Sequence, residues 1–254
     1  WYARGMDRTL FDSHHDAFRQ AFRTFVDREI KPNQERWRTA GQVDRELWRK
    51  AGAQGFLAPW LEEAYGGPGA DFLCSVIIME ELAHAYESGF AMGLHSDIIV
   101  PYIYSFGSEE QKKKWLPKLA TGELIGAIAM TEPGAGSDLQ GVKTRAQKDG
   151  NQYKINGSKT FITNGQLANL IIVVTKTDPE KGAKGTSLIV VETDEVEGFE
   201  RGRNLDKIGL KANDTSELFF NDVRVPTSNL LGHEEGQGFI QLMQQLPQER
   251  LQIG

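Results

Sequence analysis

Thirteen consecutive residues divide this sequence into two parts of different character. They are Ala129-Met130-Thr131-Glu132-Pro133-Gly134-Ala135-Gly136-Ser137-Asp138-Leu139-Gln140-Gly141. Gly134 and Gly136 lack a Cβ and let backbone N–H groups approach a ligand closely. Thr131 and Ser137 add hydroxyl groups, and Pro133 stiffens the turn. The segment predicts either a loop that binds an anion or a polar ring edge, or a plain glycine-rich loop between a helix and a strand. It lacks the glycine spacing of a dinucleotide-binding turn.

The residues before this segment have the pattern of helices. Phe18, Phe22 and Phe25 form an apolar stripe at helical spacing, and Pro32 is expected to end that helix. Further helix starts are predicted near Asp44, Phe72 and Ser108. Residues 1–125 are therefore predicted to form an all-helical domain.

The residues after the segment have the pattern of strands. Asn156-Gly157 lies between two short β-like runs and predicts a two-residue hairpin turn. Further strands are predicted at Leu170–Thr175, Ser187–Val191 and Leu218–Val225. Residues 126–232 are therefore predicted to form a β domain.

A helical pattern returns in the last residues. Residues 233–254 are predicted to hold the first helix of a further helical domain whose remainder is absent. Pro247 interrupts this run and predicts a kink or a new helix start. In the second case Glu249 would be an N3 residue that complements the helix dipole. Helices followed by strands favour an α+β multidomain class over an alternating α/β fold.

Composition excludes several function classes. The 254 residues include 29 Lys+Arg and 35 Asp+Glu, a net charge of −6, which disfavours a nucleic-acid partner. The single cysteine, Cys74, excludes an internal disulfide framework and fits a buried apolar position. No apolar run is long enough to cross a bilayer. The first ten residues show no signal peptide, so bacterial cytoplasm is expected, with the mitochondrial matrix as the alternative.

No metal site is expected. His14 and His15 are adjacent, and neighbouring side chains on a helix diverge. His84, His95 and His233 lack the spacing of metal ligands.

Three ordered blocks of the chain resemble the acyl-CoA dehydrogenase flavoprotein family, and its long-chain branch in particular. The first is segment 129–141. The second runs Asn156-Gly157-Ser158-Lys159-Thr160-Phe161-Ile162-Thr163-Asn164-Gly165, and the third runs Lys207-Ile208-Gly209-Leu210-Lys211-Ala212-Asn213-Asp214-Thr215-Ser216-Glu217-Leu218. The resemblance covers essentially the whole chain. It implies an N-terminal helical bundle, a central β-barrel-like domain and a C-terminal helical domain.

The resemblance also implies FAD as cofactor. The matching flavin contacts are Ile128, Ala129, Met130, Thr131, Glu132, Pro133, Gly134, Ala135, Gly136, Ser137, Phe161, Ile162 and Thr163. Thr131 and Thr163 would hydrogen-bond the isoalloxazine edge, and the role of Glu132 would be structural. Phe161 would lie against the ring where many relatives carry Trp, and phenylalanine lacks the indole N–H donor.

The family reaction converts an acyl-CoA to the trans-2-enoyl-CoA. A carboxylate removes the α proton while the β hydrogen leaves as hydride to the flavin. In the long-chain branch this base lies on the first helix after the β domain, so the resemblance makes Glu249 the candidate. A dry pocket would raise the pKa of this carboxylate toward the working pH.

Substrate contacts follow from the same resemblance. They are expected at Ser137, Gly185, Thr186, Ile240, Pro247, Gln248, Glu249 and Arg250. Close long-chain relatives carry Tyr where this chain has Ile240, which puts the acyl-chain length in doubt more than the reaction.

The expected partners are acyl-CoA, an electron-transferring flavoprotein as electron acceptor, and further copies of the chain in a homotetramer. Two alternatives stay open from the sequence. One is an acyl-CoA oxidase or a flavin monooxygenase of the same fold. The other is a catalytically silent fragment or an acyl-CoA-binding module.

Overall fold

The computed structural model describes residues 9–253. Helices occupy the first half of these residues, as the apolar periodicity predicts. They are α1 Ser13–Phe25, α2 Gln34–Ala40, α3 Arg45–Ala53, α4 Leu73–His84, α5 Val100–Phe106 and α6 Glu109–Ala120. A π-helical turn, Leu94–Ile99, leads directly into α5. Asp44 is the N-cap residue of α3, and Ser108 forms the predicted capping box at α6.

The N-terminal helices pack around aromatic side chains. Phe22 and Phe25 of α1 lie edge-to-face on Phe56, with ring centroids 5.0 and 5.4 Å away. Trp48 of α3 is fully buried in the same cluster. Pro32 does not mark the end of α1, because α1 ends at Phe25 and the chain continues through a π turn and a 3-10 turn.

Within the described part of the chain, seven strands form one curled sheet after the helices. They are β1 Gly126–Ala129, β2 Arg145–Asp149, β3 Gln152–Thr163, β4 Leu170–Lys176, β5 Thr186–Glu192, β6 Phe199–Asn204 and β7 Thr215–Pro226. The strand order is β1-β4-β2-β3-β7-β6, and β5 pairs with β4. The three strands predicted at 170, 187 and 218 are confirmed. All seven side chains of β4 and of β5 are buried, which matches their continuous apolar character.

The hairpin predicted at Asn156-Gly157 is wrong. Both residues lie inside β3, which runs unbroken from Gln152 to Thr163. The Asn156 side chain bonds Asp222 instead, donating from Nδ2 at 2.8 Å and accepting from the Asp222 amide at 2.9 Å. Asp222 is the extra residue of a bulge in β7, with φ 56°. Gly157 is needed for close approach to Thr144, since a Cβ there would lie 2.4 Å from Thr144 Oγ1.

The last described helix, α7 Gly238–Ile253, passes through Pro247 without a new start. The N3 interpretation of Glu249 is therefore wrong. Proline leaves the carbonyl four residues earlier without its helical donor, and that residue, Met243, lies on the exposed side where water can replace the bond. The buried side of this helix is partly polar. Gln241 and Glu249 are buried together with Leu242, whereas Ile240, Met243, Leu251 and Ile253 are exposed.

The expectation that His14 and His15 diverge is wrong. Their ring centroids lie 3.9 Å apart, because both rings turn toward Asp12, the N-cap of α1. Ligand atoms of Asp12, His14 and His15 all lie within 4.8 Å of one another. The His15 ring is already engaged, with Nδ1 accepting from the Asp12 amide and Nε2 bonding Asp71. This leaves little capacity for a metal ion.

Within residues 9–253, no helix is both long and apolar enough to cross a membrane. The expectation about the first ten residues falls mostly outside the described part, which begins at residue 9. Cys74 is buried, as predicted, and burial raises the pKa of its thiol to about 11.

The close approach at Gly157 can be tested directly. We expect Gly157→Ala to lower the free energy of unfolding by about 1–3 kcal/mol, because the new Cβ would overlap Thr144. Gly209→Ala is the matched control, since no atom lies within 4 Å of a Cβ there. Urea denaturation measures both, and equal stabilities would contradict the strand placement.

Candidate active site

A buried lysine holds segment 129–141 against the sheet. Lys159 of β3 is 1% exposed, and its ammonium donates to Met130 O at 3.0 Å, Glu132 Oε1 at 2.9 Å and Val174 O at 2.7 Å. Burial lowers the pKa of Lys159 to about 8, and the Glu132 charge opposes this shift. The three acceptors belong to the segment and to β4, so one side chain fixes the start of the loop to the sheet.

Glu132 completes this anchor from the loop side. Its carboxylate accepts from the Lys143 amide at 2.7 Å, and from the Thr144 amide and hydroxyl at 2.9 and 2.5 Å. Burial raises the pKa of Glu132, but Lys159 and the Thr144 and Lys143 donors outweigh it and lower the pKa below its ordinary value. The side chain is buried among protein partners, and its structural role stays a prediction.

The residue after Thr160 is turned out of the sheet by a bulge. Between Lys159 and Ile162, β3 contains one more residue than the paired part of β7. The Thr160 amide donates to Thr131 O of the loop at 2.9 Å. Phe161 has φ 59° and is 67% exposed. A left-handed phenylalanine is uncommon, and such strain of about 1–3 kcal/mol often marks a binding site. The bulge therefore presents an aromatic face beside the loop.

The predicted flavin contacts divide into two groups. The side chains of Ala129, Glu132, Ala135 and Ile162 are buried in the protein, so only their main chain could touch a ligand. The accessible members are Ile128, Met130, Thr131, Pro133, Gly134, Gly136, Ser137, Phe161 and Thr163.

The accessible members fit an aromatic, polar-edged cofactor. No atom lies within 4 Å of a Cβ placed at Gly134 or Gly136, so space is open in front of both. The Thr131 and Thr163 side chains are half-buried, and neither hydroxyl bonds another of the described residues. Two free hydroxyls and an exposed ring thus lie on adjacent segments joined by the Thr160–Thr131 bond.

Glu249 lies on the buried side of α7. It is 8% exposed, and its Oε1 accepts from the Tyr102 hydroxyl at 2.6 Å. Burial raises the pKa of Glu249 above its ordinary value, although the Tyr102 hydrogen bond and Arg250 oppose this. The neighbouring Gln248 donates from Nε2 to Asp97 O at 2.8 Å. A carboxylate with a raised pKa in a largely dry site is suited to proton transfer.

The remaining predicted substrate residues fall in different places. Ile240 lines an open cavity of about 660 Å³ between α7 and the start of α6. Pro247 and Arg250 are exposed. Gln248 lines a smaller cavity of about 310 Å³ with Trp60, Phe72 and Tyr104 among its other walls.

A third cleft, of about 590 Å³, lies near Gly185 and Thr186. Its walls include Lys143, Arg145 and Lys176, together with Asp178 and Glu180. Gly185 and Thr186 are buried beneath it, and the Thr186 hydroxyl accepts from Lys176 at 3.0 Å. Their contact with a substrate stays a prediction.

Two residues escaped sequence reasoning. Lys159 lies within the second block, but nothing local marks a lysine in a strand as buried. Tyr102 lies in an apolar run and is separated by 147 positions from its partner Glu249. Neither pairing has a local sequence signal, because both join segments that only the fold brings together.

Comparison with known proteins agrees with this geometry. Residues 12–123 match the acyl-CoA dehydrogenase N-terminal domain, and residues 127–223 match the acyl-CoA dehydrogenase middle domain. The mitochondrial long-chain specific acyl-CoA dehydrogenase of Sus scrofa is 54% identical over 248 residues, which is 97% of this chain and 57% of the pig protein. This chain belongs to the acyl-CoA dehydrogenase family.

Solved structures of the family have the same fold. An acyl-CoA dehydrogenase from Geobacillus kaustophilus superposes with a TM-score of 0.93 and 55% identity, over 96% of this chain and 64% of that one. A glutaryl-CoA dehydrogenase from Mycobacterium smegmatis, in complex with FADH2, superposes with a TM-score of 0.85 and 35% identity, over 96% of this chain and 61% of that one. The chain thus spans less than two thirds of each of these acyl-CoA dehydrogenases.

The lysine anchor leads to a stability prediction. Lys159→Met leaves the Glu132 carboxylate buried without its counter-ion, so we expect a loss of about 3–5 kcal/mol in the free energy of unfolding. Lys154→Met on the same strand is the control, because its ion pair with Asp222 spans 3.5 Å at the surface and should matter by less than about 0.5 kcal/mol. Equal denaturation midpoints for the two variants would show that the anchor is dispensable.

Proposed function

We propose that the complete protein catalyses FAD-dependent α,β-dehydrogenation of acyl-CoA thioesters, most readily long-chain ones, to trans-2-enoyl-CoA. The observation that carries the proposal is the buried Glu249 carboxylate on α7, which accepts a hydrogen bond from Tyr102. The chain that contains it belongs to the acyl-CoA dehydrogenase family. Similarity to long-chain relatives over 97% of the chain supports the substrate class.

In this proposal Glu249 is the catalytic base. Its pKa, raised by burial, makes the carboxylate a stronger proton acceptor than a solvated glutamate. A thioester α proton is weakly acidic, so a positioned base of matched pKa is required. Glu249 takes the proton, and the water-poor surroundings keep the carboxylate from being solvated during the step.

FAD, when bound, supplies the acceptor for the β hydrogen as hydride. The residues that would hold it are the Thr131 and Thr163 hydroxyls at its polar edge and the Phe161 ring at its face. The open backbone at Gly134 and Gly136 would lie along it, and Ser137 would face both the cofactor and the acyl-CoA.

The third cleft, near Gly185 and Thr186, is the proposed place for the CoA end. Lys143 and Arg145 in its walls offer positive charge to phosphate groups. The turn Leu139–Gly141 contacts the turn Pro179–Gly185, so this cleft continues from segment 129–141. The cavities along α7 that include Ile240 and Gln248 would take the acyl portion.

The partners and the assembly are proposed from the family resemblance. Electrons would pass to an electron-transferring flavoprotein, and the complete protein would form a homotetramer. A bacterial cytoplasm, or a mitochondrial matrix as in the Sus scrofa relative, is the proposed compartment. The domain limits 1–125, 126–232 and 233–254 are proposed on the same basis.

The first test is an anaerobic titration of the complete, FAD-loaded protein with acyl-CoAs of increasing length. Bleaching of the flavin absorbance is expected, with the greatest rate for a long chain. A flavin that no acyl-CoA bleaches would overturn the proposal. Rapid hydrogen peroxide release in air without another acceptor would instead identify an oxidase.

Glu249→Gln tests the base. We expect it to slow flavin reduction by about 10²- to 10⁴-fold while the acyl-CoA still binds, since the amide cannot accept the proton. In the unmodified protein the rate should rise with pH through the raised pKa of Glu249, because only the carboxylate is active. Glu200→Gln, an exposed carboxylate on β6, is the control. Reduction at the normal rate in Glu249→Gln would assign the base elsewhere.

Phe161→Ala tests the cofactor face. Loss of the exposed ring should weaken FAD binding by about 10-fold, and Phe161→Trp should retain it, because both aromatic rings can stack on the flavin. Phe219→Ala removes a ring from β7 as the control. Calorimetric titration of the apoprotein with FAD measures all three, and unchanged affinity in Phe161→Ala would place the flavin elsewhere.

A further inference from the structure

Tyr102 and Glu249 form a buried pair between α5 and α7. Tyr102 is 0% exposed, and its hydroxyl is 2.6 Å from Glu249 Oε1. Among the described residues, Tyr102 is the one hydrogen-bond donor to this carboxylate. The bond occupies one carboxylate oxygen, and no residue within 9–253 bonds the other, Oε2.

The adjacent residue is held by the same helical segment. Gln248 Nε2 donates to Asp97 O in the π turn that leads into α5. The Asp97 carboxylate itself is turned away, accepting from Trp60 Nε1 at 3.0 Å and Ser75 Oγ at 2.8 Å. Consecutive residues of α7 are therefore tied to two points of residues 94–106, which fixes the helix in rotation and translation.

We propose that Tyr102 is a positioning residue, which holds one oxygen of Glu249 so that the other is aimed at the α proton of the acyl thioester. This inference rests on the proposed function and deepens it. Tyr102 does not take the proton. A donor that is rigidly packed can restrict the carboxylate to one rotamer, and a misplacement of about 1 Å at a reacting atom can slow a reaction by about 10²-fold.

The groups around Glu249 allow the effect of Tyr102 to be isolated. Arg250 is the neighbouring charge on α7, and it lowers the pKa of Glu249 less than the Tyr102 hydrogen bond does. On the facing π turn, Asp97 is committed to Trp60 and Ser75, and the His95 ring lies between the Gly126 amide and Leu119 O. Removing the Tyr102 hydroxyl should therefore raise the pKa of Glu249.

The test compares Tyr102→Phe with the unmodified complete protein. Infrared titration follows the carboxylic-acid band of Glu249, which is identified by its absence in Glu249→Gln. This measurement gives the pKa of Glu249 without any substrate being converted. We expect the midpoint to rise by about one pH unit or slightly more, since one pKa unit is close to the net free energy of one hydrogen bond. The pH profile of flavin reduction should shift by the same amount, with about a 10-fold lower rate on its plateau.

Tyr65→Phe is the matched control. Tyr65 also donates to a carboxylate, Glu109 at 3.0 Å, but at the surface and not to Glu249. Its removal should move neither the band nor the profile. Replacement of Tyr102 by 3,5-difluorotyrosine keeps the ring and makes the hydroxyl a stronger donor, so the Glu249 midpoint should fall.

The outcomes separate the two proposals. An unchanged midpoint in both Tyr102 variants would overturn the positioning role, whatever the activity. Normal flavin reduction in Glu249→Gln would overturn Glu249 as the base. In that case the infrared midpoints would still decide whether Tyr102 sets the state of this carboxylate.

Discussion

The buried ion pair between Lys159 and Glu132 is the constraint on which the arrangement of the site depends. A lysine in a strand interior is tolerated only when its charge is matched, and here three acceptors surround the ammonium. Two of those acceptors belong to the loop and the third belongs to β4. The hydrogen bonds that stabilise the buried ammonium therefore also fix the position of the loop. The bulge that follows directly, with Thr160 bonded to Thr131, turns the Phe161 ring outward.

A second constraint operates on α7. A soluble helix ordinarily buries its apolar stripe, yet this one buries Gln241 and Glu249 beside Leu242 and exposes Ile240, Leu251 and Ile253. Its inner face is satisfied by specific bonds, including Gln241 to Leu231 O and Glu249 to Tyr102. Hydrogen bonds restrict the rotation of a helix about its axis more narrowly than apolar contacts do, because each bond requires its donor and acceptor atoms to lie about 3 Å apart. The same bonds leave the carboxylate in surroundings that raise its pKa.

The wrong predictions share one cause. Asn156-Gly157 is a strong turn signal by itself, but β3 pairs with β7 on one side and β2 on the other. That pairing keeps β3 extended at Asn156-Gly157. The bulge lies instead on the neighbouring strand β7, at Asp222. His14 and His15 diverge on an ideal helix, but Asp12 caps that helix and draws both rings to itself. In each case a partner that local spacing ignores decided the conformation.

The sequence by itself determined the order of elements and the family. Apolar periodicity located the helices and the buried strands. The first two blocks identified the loop and the strand end, and the resemblance made Glu249 the candidate base. Those features are local, because period and capping depend on neighbours along the chain. The tertiary structure alone decided which members of the loop face outward, that Lys159 is the anchor, and that Tyr102 meets Glu249. These features depend on contacts between residues up to 147 positions apart. The free energy of such contacts comes from burial and from charge or hydrogen-bond pairing, and the spacing of residues along the chain does not specify either one.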